Sequence, residues 1–290
     1  MPIEVIQPEM ADLVSPSAQI EKIADGFQFT EGPVWHSEKG CLFFSDIPAD
    51  TIYQWTPDGG AVAYRKPSRQ SNGLILDAQG KIIACEHQGR RVSLGAGQET
   101  QTLVETYQGK RLNSPNDIIL CKDGSLIFTD PPYGLKRGPN GPEGQEIPFH
   151  GVYRLPAGAR EPILLVDDFD RPNGLAITAD QKTVYVDDTA RKHIRAFDVQ
   201  ADGTLTNGRV FAELFADAPG APDGMKLDHH GNVYCTGSGA VWVFNPKGDL
   251  LGKIVLPLPA ANLNWGDADR KTLYFTARTD VYRVHCLVGG

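Results

Sequence analysis

The chain has 290 residues, and 28 Lys and Arg against 36 Asp and Glu give a formal net charge of −8. That balance argues against nucleic acid as the main partner, since phosphate binding needs a basic face, and more weakly against anionic membranes. No stretch approaches the roughly 18 apolar residues that span a bilayer, and the N-terminus lacks the basic and apolar regions of a signal peptide, so a cytoplasmic protein is expected.

Residues 1–18 read as an extension to one domain covering 1–290. The segment Gln19-Ile20-Glu21-Lys22-Ile23 is strand-like and has no evident partner nearby. From Glu31 onward one pattern recurs six times, beginning Glu31-Gly32-Pro33, Asn72-Gly73-Leu74, Asn116-Asp117-Ile118, Asn173-Gly174-Leu175, Asp223-Gly224-Met225 and, more weakly, Asn262-Leu263. The period of roughly 40 to 57 residues suits propeller blades. Each opening leads through a short apolar run to a polar turn such as Lys122-Asp123-Gly124 or Asp228-His229-His230-Gly231, which reads as a hairpin. A second apolar run follows in every copy: Leu42-Phe43-Phe44, Ile82-Ile83-Ala84, Leu126-Ile127-Phe128, Val184-Tyr185-Val186, Val233-Tyr234-Cys235 and Leu273-Tyr274-Phe275. These β-branched and aromatic runs are buried-strand compositions. Third strands show at Ile52-Tyr53, Val152-Tyr153, Ile194-Arg195 and Val241-Trp242, and fourth strands at Leu103-Val104, Ile163-Leu164 and Ile254-Val255.

Four antiparallel strands in each of six repeats predict an all-β, six-bladed β-propeller. The last copy is one strand short, so the segment near Ile20 is expected to join it and close the ring, leaving no open edge there. The five cysteines lie mostly inside apolar runs and read as buried thiols rather than as disulfides or zinc ligands.

The first residue of each copy begins an innermost strand, which places Glu31, Asn72, Asn116, Asn173, Asp223 and Asn262 around one mouth of the central channel. Polar residues there can simply bond the strand start, but two copies replace Asn with a carboxylate. Carboxylates converging on one axis repel unless a positive charge sits between them. All-oxygen donors point to a hard divalent cation, Ca²⁺ before Mg²⁺ or Mn²⁺, with Zn²⁺, which generally draws His or Cys, the remaining alternative. The second strands end at the same mouth with Asp46, Glu86, Asp130 and Asp188. The first three are expected to accept backbone hydrogen bonds or to pair with Arg90, Arg91 or Arg191; Asp188, His87 and Arg278 are candidate substrate contacts. The third repeat carries a Gly- and Pro-rich insertion over 131–150, a candidate lid or pocket wall, with Tyr133 and His150 as its possible contacts.

Taken together, Glu31-Gly32-Pro33, Ser114-Pro115-Asn116-Asp117, Arg171-Pro172-Asn173-Gly174-Leu175 and Pro222-Asp223-Gly224-Met225 resemble the motifs of the SMP-30/gluconolactonase/luciferin-regenerating family, and the likeness runs from about Gly26 to Tyr282. The resemblance implies a divalent cation held by Glu31, Asn173 and Asp223, with Asn116 a further ligand or substrate contact. It also implies hydrolysis of sugar lactones or, in relatives, of organophosphate esters. Ser114 stands where vertebrate members carry a substrate-binding arginine, and the insertion at Pro131-Pro132-Tyr133 replaces a region where they place an acidic sugar contact, so the likeness is greater to bacterial gluconolactonases.

The mechanism expected is metal-dependent: the lactone carbonyl is polarised and water attacks, with Asp223 as the base and Asn116 beside it. No Gly-x-Ser-x-Gly elbow offers a nucleophilic serine, and Gly237-Ser238-Gly239 is a turn-like signal only. The alternatives are a phosphotriesterase or another lactonase on the same site, or a non-catalytic metabolite-binding propeller. A small-molecule substrate and a monomer or dimer are expected.

Overall fold

Each apolar run between polar turns forms a strand, and the strands gather four at a time into blades. The computed structural model describes residues 2–138 and 141–290. Blade 1 is built from Thr30–His36, Cys41–Asp46, Thr51–Thr56 and Gly60–Arg65, and blade 2 from Ser71–Leu76, Ile82–Glu86, Arg91–Ala96 and Glu99–Val104. Blade 3 uses Ile118–Leu120, Leu126–Asp130, His150–Leu155 and Ile163–Phe169; blade 4 uses Pro172–Ile177, Thr183–Asp188, His193–Val199 and Leu205–Glu213. Blade 5 comprises Met225–Leu227, Val233–Gly237, Ala240–Phe244 and Leu250–Ile254. Blade 6 takes Asn262–Gly266, Thr272–Ala277 and Asp280–His285 from the C-terminal end of the chain and its outer strand, Glu21–Ala24, from the N-terminal end. The protein is thus a six-bladed propeller whose ring is closed by an N-terminal strand. No helix among the described residues is long and apolar enough to cross a membrane.

The apolar core is divided by the ring. Six buried clusters each lie between two adjacent blades, as where Trp35 and Phe44 of blade 1 meet Tyr274 and Val281 of blade 6. Strand faces that alternate in a single sheet would leave one side wet, so blades stacked face to face bury both. All five cysteines are unpaired, and Cys41, Cys85, Cys235 and Cys286 are fully buried.

The first 18 residues are part of this packing. Ile3–Val5 adds a fifth strand to the outer edge of blade 5, paired with the strand Leu250–Ile254. A short helix, Met10–Leu13, then drops Met10, Leu13 and Val14 into the cluster between blades 5 and 6. Sequence periodicity gives no warning of either element, because each is too short to show a pattern.

The inner strands begin unevenly. In blades 1, 2 and 4 the register shifts between Glu31 and Val34, Ser71 and Leu74, and Pro172 and Leu175. Such bulges re-aim side chains at barrel rims and active sites, and here they fall on the opening residues. In blades 3 and 5 Asn116 and Asp223 stand just ahead of strands that start at Ile118 and Met225.

Deletion of residues 1–18 removes Ile3, Met10, Leu13 and Val14 from the core, each worth about 1.5–3 kcal/mol when fully buried. Calorimetry is expected to show a melting temperature lower by at least about 10 °C; an unchanged value would mean that this segment does not pack as described.

Candidate active site

The opening residues converge because the strands carrying them nearly touch. A Cβ added at Gly73 would lie 2.6 Å from the Asn116 carbonyl oxygen, and one at Gly32, Gly174 or Gly224 would overlap Asn72, Asp223 or Asn262 of the next blade. Hydroxyls lace the same seams: Ser45 Oγ donates to the Asn72 carbonyl at 2.8 Å and Thr129 Oγ1 to that of Asn173 at 2.8 Å. With no room between the backbones, the polar side chains at these positions are gathered around the axis.

A cavity of about 310 Å³ opens over them. Five of the six opening residues line it, namely Glu31, Asn72, Asn116, Asn173 and Asp223. His87, Tyr133 and Thr189 add polar groups, and Phe29, Ile47 and Pro48 supply apolar surface. A larger groove of about 400 Å³ between blades 2 and 3 is mainly apolar, and its Asp77 carboxylate is consumed by its own turn.

Hydrogen bonds decide which oxygens stay free. The Asn173 amide nitrogen donates to Thr189 Oγ1 at 3.0 Å, so its Oδ1 is the unspent end. Thr189 is itself fixed by donating to the Pro222 carbonyl at 2.8 Å. Glu31 Oε2 accepts from Gly32 N at 2.8 Å and from the Asn262 amide at 3.1 Å, which leaves Oε1. Asn262 is thereby a positioning group for Glu31 rather than a pocket residue. The Asn116 side chain has no hydrogen-bond partner among the described residues and faces the pocket. Asn72 meets His87 Nε2 through its amide nitrogen at 3.2 Å, and its Oδ1 is buried without a partner.

The charges here are unbalanced. Burial pushes the Glu31 carboxyl up to about 7, and burial with the Glu31 and Asp117 carboxylates beside it holds Asp223 well above the usual carboxylate range. Two further acids lie buried nearby: among the described residues, Asp117 Oδ2 and Asp187 Oδ1 have no hydrogen-bond partner. Against these four, the Lys226 ammonium stands 4.0 Å from Asp117 Oδ2. Cys235, beside Asp187 and Asp223, is raised well above an ordinary thiol by burial and those carboxylates, so it stays protonated. Burial pushes His87 down to about 4, leaving it neutral.

Other sequence candidates have different work. Asp188 is buried away from the cavity and accepts from Asp170 N at 2.8 Å and Arg171 N at 3.1 Å, so it fixes the chain entering blade 4 instead of reaching a ligand. Asp46 does the same for Gln28 and Phe29 at 3.0 Å each, and Asp130 for Asn113 N at 2.7 Å, while Glu86 pairs with Arg91 at 2.6 Å. Burial pushes Asp130 up to about 7. His150 does not line the cavity: its Nδ1 is engaged with the Asp170 carbonyl at the start of a strand. Arg278 is exposed and lies over the Phe29 ring at 5.3 Å, behind the pocket wall. Of the insertion, only Tyr133 comes to the cavity; residues 139 and 140 lie outside the described residues. Thr189, Phe29, Ile47, Asp117, Asp187 and Lys226 were not singled out by the sequence reading. Only Asp117 left a clear signal, as the acid that takes the glycine's place in the third copy.

Glu31 Oε1 and Asn173 Oδ1, beside the Asp223 carboxylate in a cluster of buried acids, are oxygens of the type hard cations take. No three His, Cys, Asp or Glu side chains form a ready metal cluster among the described residues; the set here instead combines two carboxylates with an amide. The sequence signature of the SMP-30/gluconolactonase/LRE-like region matches residues 29–279. The chain belongs to that family. It is 34% identical to a gluconolactonase of Zymomonas mobilis over 97% of this chain and 85% of that one. A solved gluconolactonase from Xanthomonas campestris superimposes with a TM-score of 0.89 and 34% identity, covering 99% of this chain and 95% of that one. A regucalcin from Agrobacterium tumefaciens, described as calcium-binding, shares the fold at a TM-score of 0.79 and 17% identity, over 94% of this chain and 95% of that one.

Because Glu31 holds its proton more tightly folded than unfolded, its contribution to stability is complete below about 4.5 and is lost as pH rises through about 7. In chelator, Glu31→Gln is expected to melt near the wild-type temperature at pH 5 and several degrees above it at pH 8. A difference independent of pH in a melting series would contradict this assignment.

Proposed function

We propose that this pocket opens the ring of a sugar lactone by water attack, with one divalent cation, Ca²⁺ foremost, held by Glu31, Asn173 and Asp223. Kinship with the Zymomonas and Xanthomonas gluconolactonases makes the chain a lactone, or carboxylic ester, hydrolase, and the pocket supplies chemistry suited to that reaction. The observation supporting the proposal is the cluster of buried carboxylates, Asp223 among them, around the free Glu31 Oε1 and Asn173 Oδ1. When bound, a divalent cation supplies a Lewis acid that polarises the lactone carbonyl and stabilises charge developing on its oxygen, an effect worth several kcal/mol.

The chain's own residues do the rest. Asp223 keeps part of its surface open to the cavity, so its carboxylate can take a proton from the attacking water. As the ring C–O bond breaks, the proton passes to the departing alkoxide, and the product is a hydroxy acid. The uncommitted Asn116 amide is placed to orient the lactone by hydrogen bonding. Neutral His87 and the amide of Asn72 add polar contacts without adding charge. Phe29, Ile47 and Pro48 exclude water from one side, which strengthens every electrostatic contact in the pocket.

Asp223→Ala and Glu31→Ala are each expected to lower kcat/KM for gluconolactone by at least about 100-fold, with circular dichroism unchanged, in a pH-indicator assay. Chelation should abolish turnover in the wild type and added Ca²⁺, Mg²⁺, Mn²⁺ or Zn²⁺ restore it to differing degrees. Full activity in metal-stripped protein would overturn the metal-dependent reading.

A further inference from the structure

The turn 131–134 reaches the pocket through contacts that are unusually specific for a loop. Ser114 Oγ donates to the Pro131 carbonyl at 2.6 Å and accepts from Gly134 N at 2.9 Å, so one hydroxyl grips both ends of the turn. Gly134 lies directly on the residues below it: a Cβ there would fall 2.6 Å from His87 Cβ and 2.8 Å from Ser114 Cβ. Between these two anchors the chain turns Tyr133 into the cavity. The Arg171 guanidinium covers the ring at 5.5 Å, fixing its second face.

The phenol so delivered has one hydroxyl beside it, that of Thr189, and does not reach it with full hydrogen-bond geometry. Tyr133 Oη is buried and makes no hydrogen bond among the described residues. Its neighbour Thr189 already donates to Pro222 and accepts from Asn173. Burial pushes the phenol up, so it remains a neutral donor. A buried donor without an acceptor costs about 1–3 kcal/mol, and a fold does not anchor a side chain at three points to incur that cost without return.

We propose that Ser114 and Gly134 form a latch that presents the Tyr133 phenol to a hydroxyl on the substrate, making Tyr133 the group that selects a hydroxylated lactone over its deoxy analogue. Tyr133 touches the substrate; Ser114, Gly134 and Arg171 are positioning residues that act through it. The inference rests on the lactone-hydrolase reading of the same pocket. A site built to bond a hydroxyl discriminates strongly against the analogue lacking it, because the protein group is then left unpaired.

The test compares kcat/KM for a polyhydroxylated δ-lactone with that for δ-valerolactone, the unsubstituted ring. Tyr133→Phe is expected to lower the hydroxylated-to-deoxy ratio at least about 10-fold, with the loss falling on the hydroxylated substrate. Gly134→Ala is expected to produce the same fall, and the double variant no more than either alone, because both remove one contact. Ser114→Ala, which adds no bulk, gives a second disruption of the latch if Gly134→Ala fails to fold, and should again add nothing in the Tyr133→Phe background. An unchanged ratio in Tyr133→Phe, or losses that multiply in the double variants, would overturn the latch while leaving lactone hydrolysis intact. Absence of turnover of any lactone by the wild type would instead overturn both it and the reading beneath it.

Discussion

Gly32, Gly73, Gly174 and Gly224 set how closely neighbouring inner strands approach, and the site depends on that spacing. A side chain at any of them would have to occupy the backbone or amide of the next blade's opening residue. Their absence lets Glu31, Asn116, Asn173 and Asp223, which are distant in sequence, share one cavity. The ring then has to close to hold that spacing, which gives the strand Glu21–Ala24 and its pairing with Asp280–His285 a functional role as well as a structural one.

Around this centre the acids divide into two groups by what reaches them. Asp46 and Asp188 each accept several backbone N–H groups and fix the loops that lead into blades 1 and 4, whereas Asp130 accepts Asn113 N through one oxygen and leaves its Oδ1 without a hydrogen bond among the described residues. Glu31, Asp187 and Asp223 lie close enough to one another or to Asp117 for carboxylate charge to raise their proton affinity. Asp46 and Asp188 are satisfied by the protein, whereas Asp130, pushed up to about 7 by burial, stands between the two groups. The supply of backbone donors, rather than burial alone, sets Asp46 and Asp188 apart.

Much of this was legible in the sequence, and the physical reasons differ by element. Inner and second strands announced themselves through apolar runs because both faces are buried between blades. Outer strands such as Gly60–Arg65 and Leu205–Glu213 went unread, since the first is mostly half-buried, the second largely exposed, and neither carries an apolar alternation. Glu31 and Asp223 were visible as exceptions in an otherwise uniform column. Asp188, at the end of a second strand, and His150, in the insertion, read as candidate contacts, yet hydrogen bonds to nearby backbone turn both away from the cavity, and such bonds leave no trace in residue type. Tyr133 was seen as a possible contact, whereas its anchoring by Ser114 and Gly134 exists only in three dimensions.

The cation proposal turns on where a metal binds, and anomalous scattering from crystals soaked in Mn²⁺ measures that directly. The expected result is one strong peak bounded by oxygens of Glu31, Asn173 and Asp223, absent in crystals of Asp223→Ala. A protein that hydrolyses lactones with no peak between those three residues, or with its metal held elsewhere, would contradict the assignment.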